Sequence, residues 1–503
     1  MRNWKTFAVL IGVGAALALS PRPVAGFNLD DVATKAQALA KDPFKDPHGQ
    51  VPDWLLKISY DQWRDIRYRW ERSLWRDRAL PFQVQFFHPG LYYDRPVAIN
   101  VVEDDGVHSL NFSPSDFDYG QNDFASKVPQ TLGYAGFRVH APIKRSDYYD
   151  EVIVFLGASY FRAVDAHSQF GLSARGVAID TAMSSGEEFP YFREFWLVTP
   201  LPWSTEMIIY GLLDSPSLTG AYRFIVHPGN ETVVEVEGRL FLRHAPHKVA
   251  IAPLTSMFFH GENASRSFDD FRPEAHDSDG LLLQMASGER LWRPIDNPSS
   301  LNVSAFRMVS PKGFGLLQRD RAPDHYQDLE THFERRPSSW VKPLGDWKGG
   351  RVELVEIPTK SDSNDNVVAF WVPDAQPAPD KPFTFAYTLT WFAESARVPG
   401  GHVVATRRDR AGGDDKHRFI IDFEGDELAA LPAETVLRGV ISVAAGDESA
   451  ELLDQQVAKN PTTGGWRLTF RLRPKRKEPL ELRAFLDKGG QTLTETWSYV
   501  VLP

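Results

Sequence analysis

The sequence predicts an all-β protein made of two sandwiches, a large one followed by a smaller one. Three observations carry this. Beyond residue 80 the chain is mostly short β-branched or aromatic runs, each bounded by Gly, Pro, Asn or Asp. Aromatic residues make up 12% of the chain, which suits an aromatic β core. The stretch "VPDAQPAPDKP" at 372–382 holds little that could pack and reads as a linker. At 503 residues the chain is also too long for one ordinary domain.

The first element is a leader. In "MRNWKTFAVLIGVGAALALSPRPVAG", Arg2 and Lys5 form a basic start and Phe7 to Leu19 an apolar run. Val24 and Gly26 are small enough for the −3 and −1 positions of a cleavage site before Phe27. Residues 1–26 therefore read as a secretory signal peptide, too short in its apolar part to span a bilayer. No Arg-Arg pair precedes the run, which points to ordinary export. The mature protein is expected to be exported and soluble, with no membrane insertion.

Two helical patterns follow. "FNLDDVATKAQALAKD" places Val32, Ala36, Leu39 and Ala40 on one face, with Asn28 or Asp30 as cap. "SYDQWRDIRYRWERSLW" has Trp63, Ile66, Trp70 and Leu74 at helical spacing, and Ser59 with Gln62 forms a capping box. The β pattern then begins. In "ETVVEVEGRLFLR", Val234, Val236, Leu240 and Leu242 alternate with polar residues. After the linker, Phe383, Phe385, Tyr387, Leu389 and Trp391 alternate again, and later short runs continue the pattern. This predicts a large antiparallel β sandwich over 27–374, a linker over 375–381, and an immunoglobulin-like sandwich over 382–503.

Charge and composition exclude several functions. The net charge of −10 becomes more negative once the leader's cations are removed, so nucleic acid and anionic membranes are poor partners. A neutral sugar is compatible. The chain has no cysteine, which excludes thiol nucleophiles and cysteine-bound zinc and leaves stability to the core. There is no Gly-rich phosphate loop, no G-x-S-x-G elbow and no H-E-x-x-H. "DSNDNVVAFWVP" starts like a calcium loop at Asp362, Asn364 and Asn366, but Val367 and Pro373 occupy the Gly and Glu positions. No metal or cofactor is expected.

Two stretches share one design. "HDSDGLLL" and "SNDNVV" each place carboxylates in a polar turn at the lip of an apolar strand. Such a pair suits acid and base work on a glycosidic bond. Acidic turns also commonly just cap strands, and a lone His such as His276 is more often structural.

Long segments carry a resemblance: "GASYFRAV", "FGLSARGVAIDTA", "GEEFPYFREFW", "APLTSMFFHGEN", "FRPEAHDSDGL", "WRPIDNP", "GFGLLQRDR" and "VELVEIPTKSDSNDNVVAFW". Together with the mature start and the C-terminal "TLTETWSYVV", they resemble the periplasmic glucans biosynthesis proteins G and D over essentially the whole mature chain. The leader without twin arginine is closer to the G branch. The resemblance implies a galactose-mutarotase-like sandwich ahead of the smaller one, and a periplasmic role in making osmoregulated glucans of β-1,2-linked glucose. It implies glycoside hydrolysis inside the chain with inversion at the anomeric centre. Some relatives instead transfer the cleaved chain to another sugar.

The site residues follow from that resemblance. Asp365 matches the general acid and Asp277 the base-side carboxylate. Asp365 must be protonated to act, so burial or a neighbouring negative charge should raise its pKa. Asp279 is a rival that can be Asn in relatives, which makes it a bystander. Glu356 is a candidate on the same strand layer. Tyr160, Phe161, Arg175, Trp292, Arg293, Trp340 and Trp371 are candidates for lining the glucan site, and "FDYGQNDF" (Phe117 to Phe124) is a polar loop able to meet sugar hydroxyls. The partner is a β-1,2-glucan chain; the inner-membrane glucan synthase is a second candidate partner. Monomer and dimer both stay open. The competing functions are a hydrolase, a transglycosylase using the same site, and a non-catalytic glucan binder.

Overall fold

The computed structural model describes residues 26–264, 269–379, 381–393, 400–410, 415–444 and 448–502. The leader expected at 1–26 lies outside these residues, Gly26 apart. The fold is all-β, as the alternation predicts, with about 48% strand and 9% helix. Among the described residues no helix is long and apolar enough to cross a membrane.

Two large sheets make the main body, one of 10 strands and one of 15. Their facing sides pack through aromatic rings. Phe137, Phe155 and Phe161 of the smaller sheet meet Phe195, Phe224 and Trp391 of the larger, with ring centroids 5.0 to 6.1 Å apart. These rings sit in one continuous buried cluster. Edge-to-face contacts of this kind add to the area they bury.

The strand Thr232–Leu242 buries Val234, Val236, Leu240 and Leu242, the residues its alternation predicts. It pairs with Phe383–Phe392, in which Phe385, Tyr387, Leu389 and Trp391 are buried. The inward face of 383–392 is therefore the one predicted, but its partners are not. The sequence reading put this strand in the second sandwich. It runs instead inside the larger sheet, between Thr232–Leu242 and Ser338–Leu344. Period-two alternation reveals which face is buried, not which strand lies alongside.

The first helix forms as expected, Leu29–Ala40, capped by Asn28 with Asp31 completing the capping box. Leu29, Val32, Ala33 and Ala36 are buried against Trp196, Tyr210 and Phe241 on the outside of the larger sheet. The second helix is shorter than its periodicity predicts. Ser59 and Gln62 form the capping box, but the helix covers only Tyr60–Arg64. Arg67–Tyr68 then pairs with Phe117–Asp118, and the indole of Trp63 donates to the His88 carbonyl. Tertiary hydrogen bonds outweigh local spacing here.

The C-terminal residues form a four-stranded sheet with order His402–Asp409, His417–Glu424, Trp466–Pro474, Ala450–Lys459. Opposite it lie Arg438–Val443, Leu480–Lys488 and Thr496–Val501, around a core of Phe419, Phe470, Trp497 and Tyr499. Thr496–Val501 pairs in parallel with Arg290–Pro294, so this layer continues the larger sheet of the main body.

Candidate active site

The two predicted carboxylates come together through one backbone segment. Phe258–His260 pairs with Ala275–His276, with Phe258 opposite His276. Asp277 follows directly, and its N–H donates to the Met257 carbonyl at 2.8 Å. From the other direction, Asn366 begins the apolar strand Val367–Pro373 at one residue's remove. The Asn366 side chain accepts from Phe258 N at 2.8 Å and donates to Phe258 O at 3.0 Å and Ile357 O at 2.9 Å. Its own N–H donates to Ser256 O at 3.1 Å. Phe258 is thus clasped by His276 on one side and by Asn366 on the other. Asp277 and Asp365 are the next residues outward.

Asp277 is 8% exposed. Arg336 Nε lies 3.1 Å from its Oδ1, but the two are not aligned for a hydrogen bond, and Oδ1 accepts none. A buried carboxylate oxygen with a free lone pair is what proton acceptance requires. Burial raises the Asp277 pKa; the charges of Arg336, His276 and Arg162 oppose this, and Asp362 adds to it.

Asp365 sits in the loop between Gly349–Glu356 and Val367–Pro373, and solvent reaches it. Protein nevertheless crowds its carboxyl. That desolvation, followed by the negative charge of Asp277, raises its pKa to about 6 against Arg162, Arg175 and Arg336. Like charges in one site disfavour the second ionisation. The loop is latched by Arg272, which donates to Asp362 at 2.7 Å, Asp328 at 3.2 Å and Asp270 at 2.7 Å.

Of the other candidates, Tyr160 and Arg175 lie by the acid. They face each other across paired strands, with the Arg175 guanidinium 5.6 Å from the Tyr160 ring centre. Burial raises the Tyr160 pKa, with Arg175 opposing and Asp365 adding. Arg175 is 3% exposed and donates Nη1 to Glu187 at 2.6 Å, while its Nε and Nη2 have no hydrogen-bond partner. Buried donors usually find a partner, and the Tyr160 hydroxyl is one polar group beside this guanidinium.

The rest are structural. Phe161 stacks on Phe155 and Trp371 packs beside Trp347, both in the main core. Trp340 lies over Gly313 and Gly315, and Trp292 over Gly280, where a side chain at any of the three glycines would collide with an indole. Trp292 also carries the Arg319 guanidinium 3.7 Å above its ring. Arg293 donates to Glu481 and Ser498, across to the C-terminal strands. Glu356 accepts from Asp296 N at 2.8 Å and Asn302 at 2.7 Å, and burial raises its pKa to about 7. Asp279 accepts from the N–H groups of Arg319 and Asp320, both at 2.9 Å, so it holds a turn together. In the polar loop, Asn122 is spent on the Gln62 and Tyr119 carbonyls.

Sequence reasoning missed Arg336, Arg162, Arg272 and Gln318. Arg162, Arg272 and Gln318 lie within quoted stretches, "SYFRA", "FRPEAHDSDG" and "GFGLLQRDR", but nothing in their spacing tied them to a carboxylate. Among the described residues two groups of three metal-type donors lie close together, Glu103–Asp105–His108 and Glu274–Asp320–His325. Their members are spent on ion pairs, His108 with Asp105, Glu274 with His276 and His325 with Asp320, and no metal is assigned to either.

The class defined so far is a two-sandwich β protein with a coupled carboxylate pair at its strand ends. The sequence profile described as "Periplasmic glucan biosynthesis protein, MdoG" matches residues 27–501, and the chain belongs to this family. It is 47% identical over 504 residues to the glucans biosynthesis protein G of Ralstonia nicotianae, covering 98% of this chain and 99% of that one. It is 43% identical over 505 residues to the glucans biosynthesis protein G of Pseudomonas aeruginosa PAO1, covering 98% and 96%. The protein of the same name from Pectobacterium carotovorum is 42% identical over 509 residues, covering 99% and 96%. These names are consistent with the G-like branch that the leader suggested.

Proposed function

We propose that the protein works in the periplasm on β-1,2-glucan, cutting within the chain as an anomer-inverting glycoside hydrolase. Asp365 protonates the leaving glycosidic oxygen. Asp277 takes the proton of the attacking water, directly or through a relay. The observation that carries this reading is the coupled pair: an exposed Asp365 raised to about 6 by burial and by a buried Asp277 whose Oδ1 accepts no hydrogen bond. A pure glucan binder needs neither feature. Arg175 and Tyr160 are the residues proposed to hold a glucose unit next to the acid, through donors to its hydroxyls and an aromatic face.

Turnover needs Asp365 protonated, so kcat/KM falls as pH rises through about 6. It also needs Asp277 ionised, so kcat/KM falls at low pH, with the limb above the ordinary aspartate range because burial raises that group. The two limbs are apparent values of the pair.

The test is a time course on linear β-1,2-glucan, wild type against Asp365→Asn, with products separated by chromatography and the anomer followed by NMR. Shorter reducing chains of inverted configuration support the hydrolase. New linkages or rings without new reducing ends make it a transglycosylase at the same site. No turnover of any chain length overturns the enzymatic reading.

A further inference from the structure

We infer that Gln318 is the positioning residue for the base-side carboxylate, gripping the His276–Asp277 peptide and the turn that carries Arg336 as one unit. This deepens the reading above and rests on Asp277 being the base.

Gln318 is fully buried and follows the strand Gly313–Leu317. Its Nε2 donates to the His276 carbonyl at 3.0 Å, half of the peptide that leads into Asp277. The same nitrogen faces the Phe333 carbonyl at 3.1 Å and the Tyr326 hydroxyl at 2.9 Å. Phe333 begins the short turn Phe333–Arg335, which Arg336 closes. One amide thus ties Asp277 and its counter-charge to a common point. Its orientation is forced. A flipped amide would set its oxygen against two carbonyls.

The other end of the amide fixes His276. Gln318 Oε1 lies 2.9 Å from His276 Nδ1, so that nitrogen carries a proton; Nε2 faces the Glu274 carboxylate at 2.9 Å and carries one too. Burial opposes a charged ring, but the bond to Glu274 wins and the His276 pKa rises to about 9. The ring is stacked on Phe258 at 5.3 Å and edged by Tyr326 at 5.2 Å. The imidazolium faces Glu274 and Asp279. The Asp277 carboxylate is influenced by His276, Arg336, Arg162, Asp362 and Asp365. His276 thereby becomes a fixed cation behind the base.

The test uses Gln318→Met, which keeps length but loses the amide, and His276→Gln, which removes the cation. Both are measured as full chains for kcat, KM, pH profile and thermal unfolding. The expected result for Gln318→Met is a kcat about 10- to 100-fold lower with KM changed little, since misplacement of a reacting group costs on that order. In both variants the acidic limb of kcat/KM moves to higher pH: His276→Gln removes one positive neighbour of Asp277, and Gln318→Met releases the turn that holds another, Arg336. A merely structural loss would lower the amount of active protein at every pH and move no limb. A folded variant with an unmoved acidic limb overturns the inference, as does failure of both variants to fold. If the wild type turns over no glucan, the hydrolase reading fails instead. The geometry is then read by 15N NMR of the wild-type histidines: two N–H protons on His276 at pH 7.5 support the clamp, and one overturns it.

Discussion

The two halves of the carboxylate pair are built in opposite ways. On the Asp277 side nearly everything is buried: Asp277, Ser278, His276, Glu274 and Gln318 are each below a tenth exposed. Each strand and turn there is tied to another, Asp279 to residues 319 and 320, Ser278 to Ser256, and Gln318 to His276. On the Asp365 side the residue is solvent-exposed on a loop, and that loop is held at two points, Asn366 and the Asp362–Arg272 latch. Under the proposed mechanism the difference matches the two tasks. A base must be aimed, and burial with hydrogen bonds limits its freedom. Each group must also exchange its proton with solvent between turnovers, the acid regaining one and the base releasing one, and the exposed loop gives Asp365 the shorter route.

The largest expected effect tests whether both halves are needed. Asp365→Asn and Asp277→Asn should each lower glucan cleavage about 10²- to 10⁴-fold, with folding intact by circular dichroism and glucan binding retained. If either variant keeps more than a tenth of wild-type rate, the comparison is broken, because only one side would then be doing chemistry.

Next comes the acid loop. Asn366→Ala removes both side-chain bonds to Phe258 and the one to Ile357, leaving buried backbone groups unpaired at about 1–3 kcal/mol each. We expect lower stability by denaturant melts and roughly a 10- to 100-fold lower kcat. Equal activity in the surviving folded protein would mean that Asn366 only caps its strand.

Arg272→Met frees the Asp362 carboxylate, which loosens the acid loop and leaves an unpaired negative charge acting on Asp277. The expected loss is about three- to tenfold in kcat, with the acidic limb of the pH profile moved slightly upward. An unmoved limb with unchanged kcat would show that the latch holds neither half.

The smallest effect is on stability. Asp365 has a folded pKa of about 6, above its unfolded value near 3.8. The folded state therefore binds its proton more tightly, and the stability from this group is full below the unfolded value and lost as pH rises through about 6. Asp365→Asn should melt higher than wild type at pH 7.5, by roughly a degree or two, and the gain should vanish near pH 3.5. No gain at pH 7.5 would mean that burial and the charge of Asp277 do not destabilise the ionised acid.

Much of this was readable beforehand. The helix cap at Asn28, the alternation in 232–242 and the aromatic core follow from local rules about spacing and caps, and these are satisfied within a few residues. The partners of strand 383–392 and the continuation of the second helix past Arg64 differ from the sequence expectation, because a distant partner decides each. The candidate tryptophans show the same limit. Trp292, Trp340 and Trp371 look like sugar platforms in a linear chain, and each lies against glycines or other aromatics inside the protein.

By itself the sequence determined the β class, the family to which the chain belongs and which two acidic turns to compare, because motif identity and period-two burial are properties of short segments. The tertiary structure decided that Phe258 brings those turns side by side, that Asp277 is buried and Asp365 exposed, and that Gln318 meets His276 across 42 residues. Charge coupling and hydrogen bonds act over a few ångströms of space, and no spacing along the chain encodes which residues will share them.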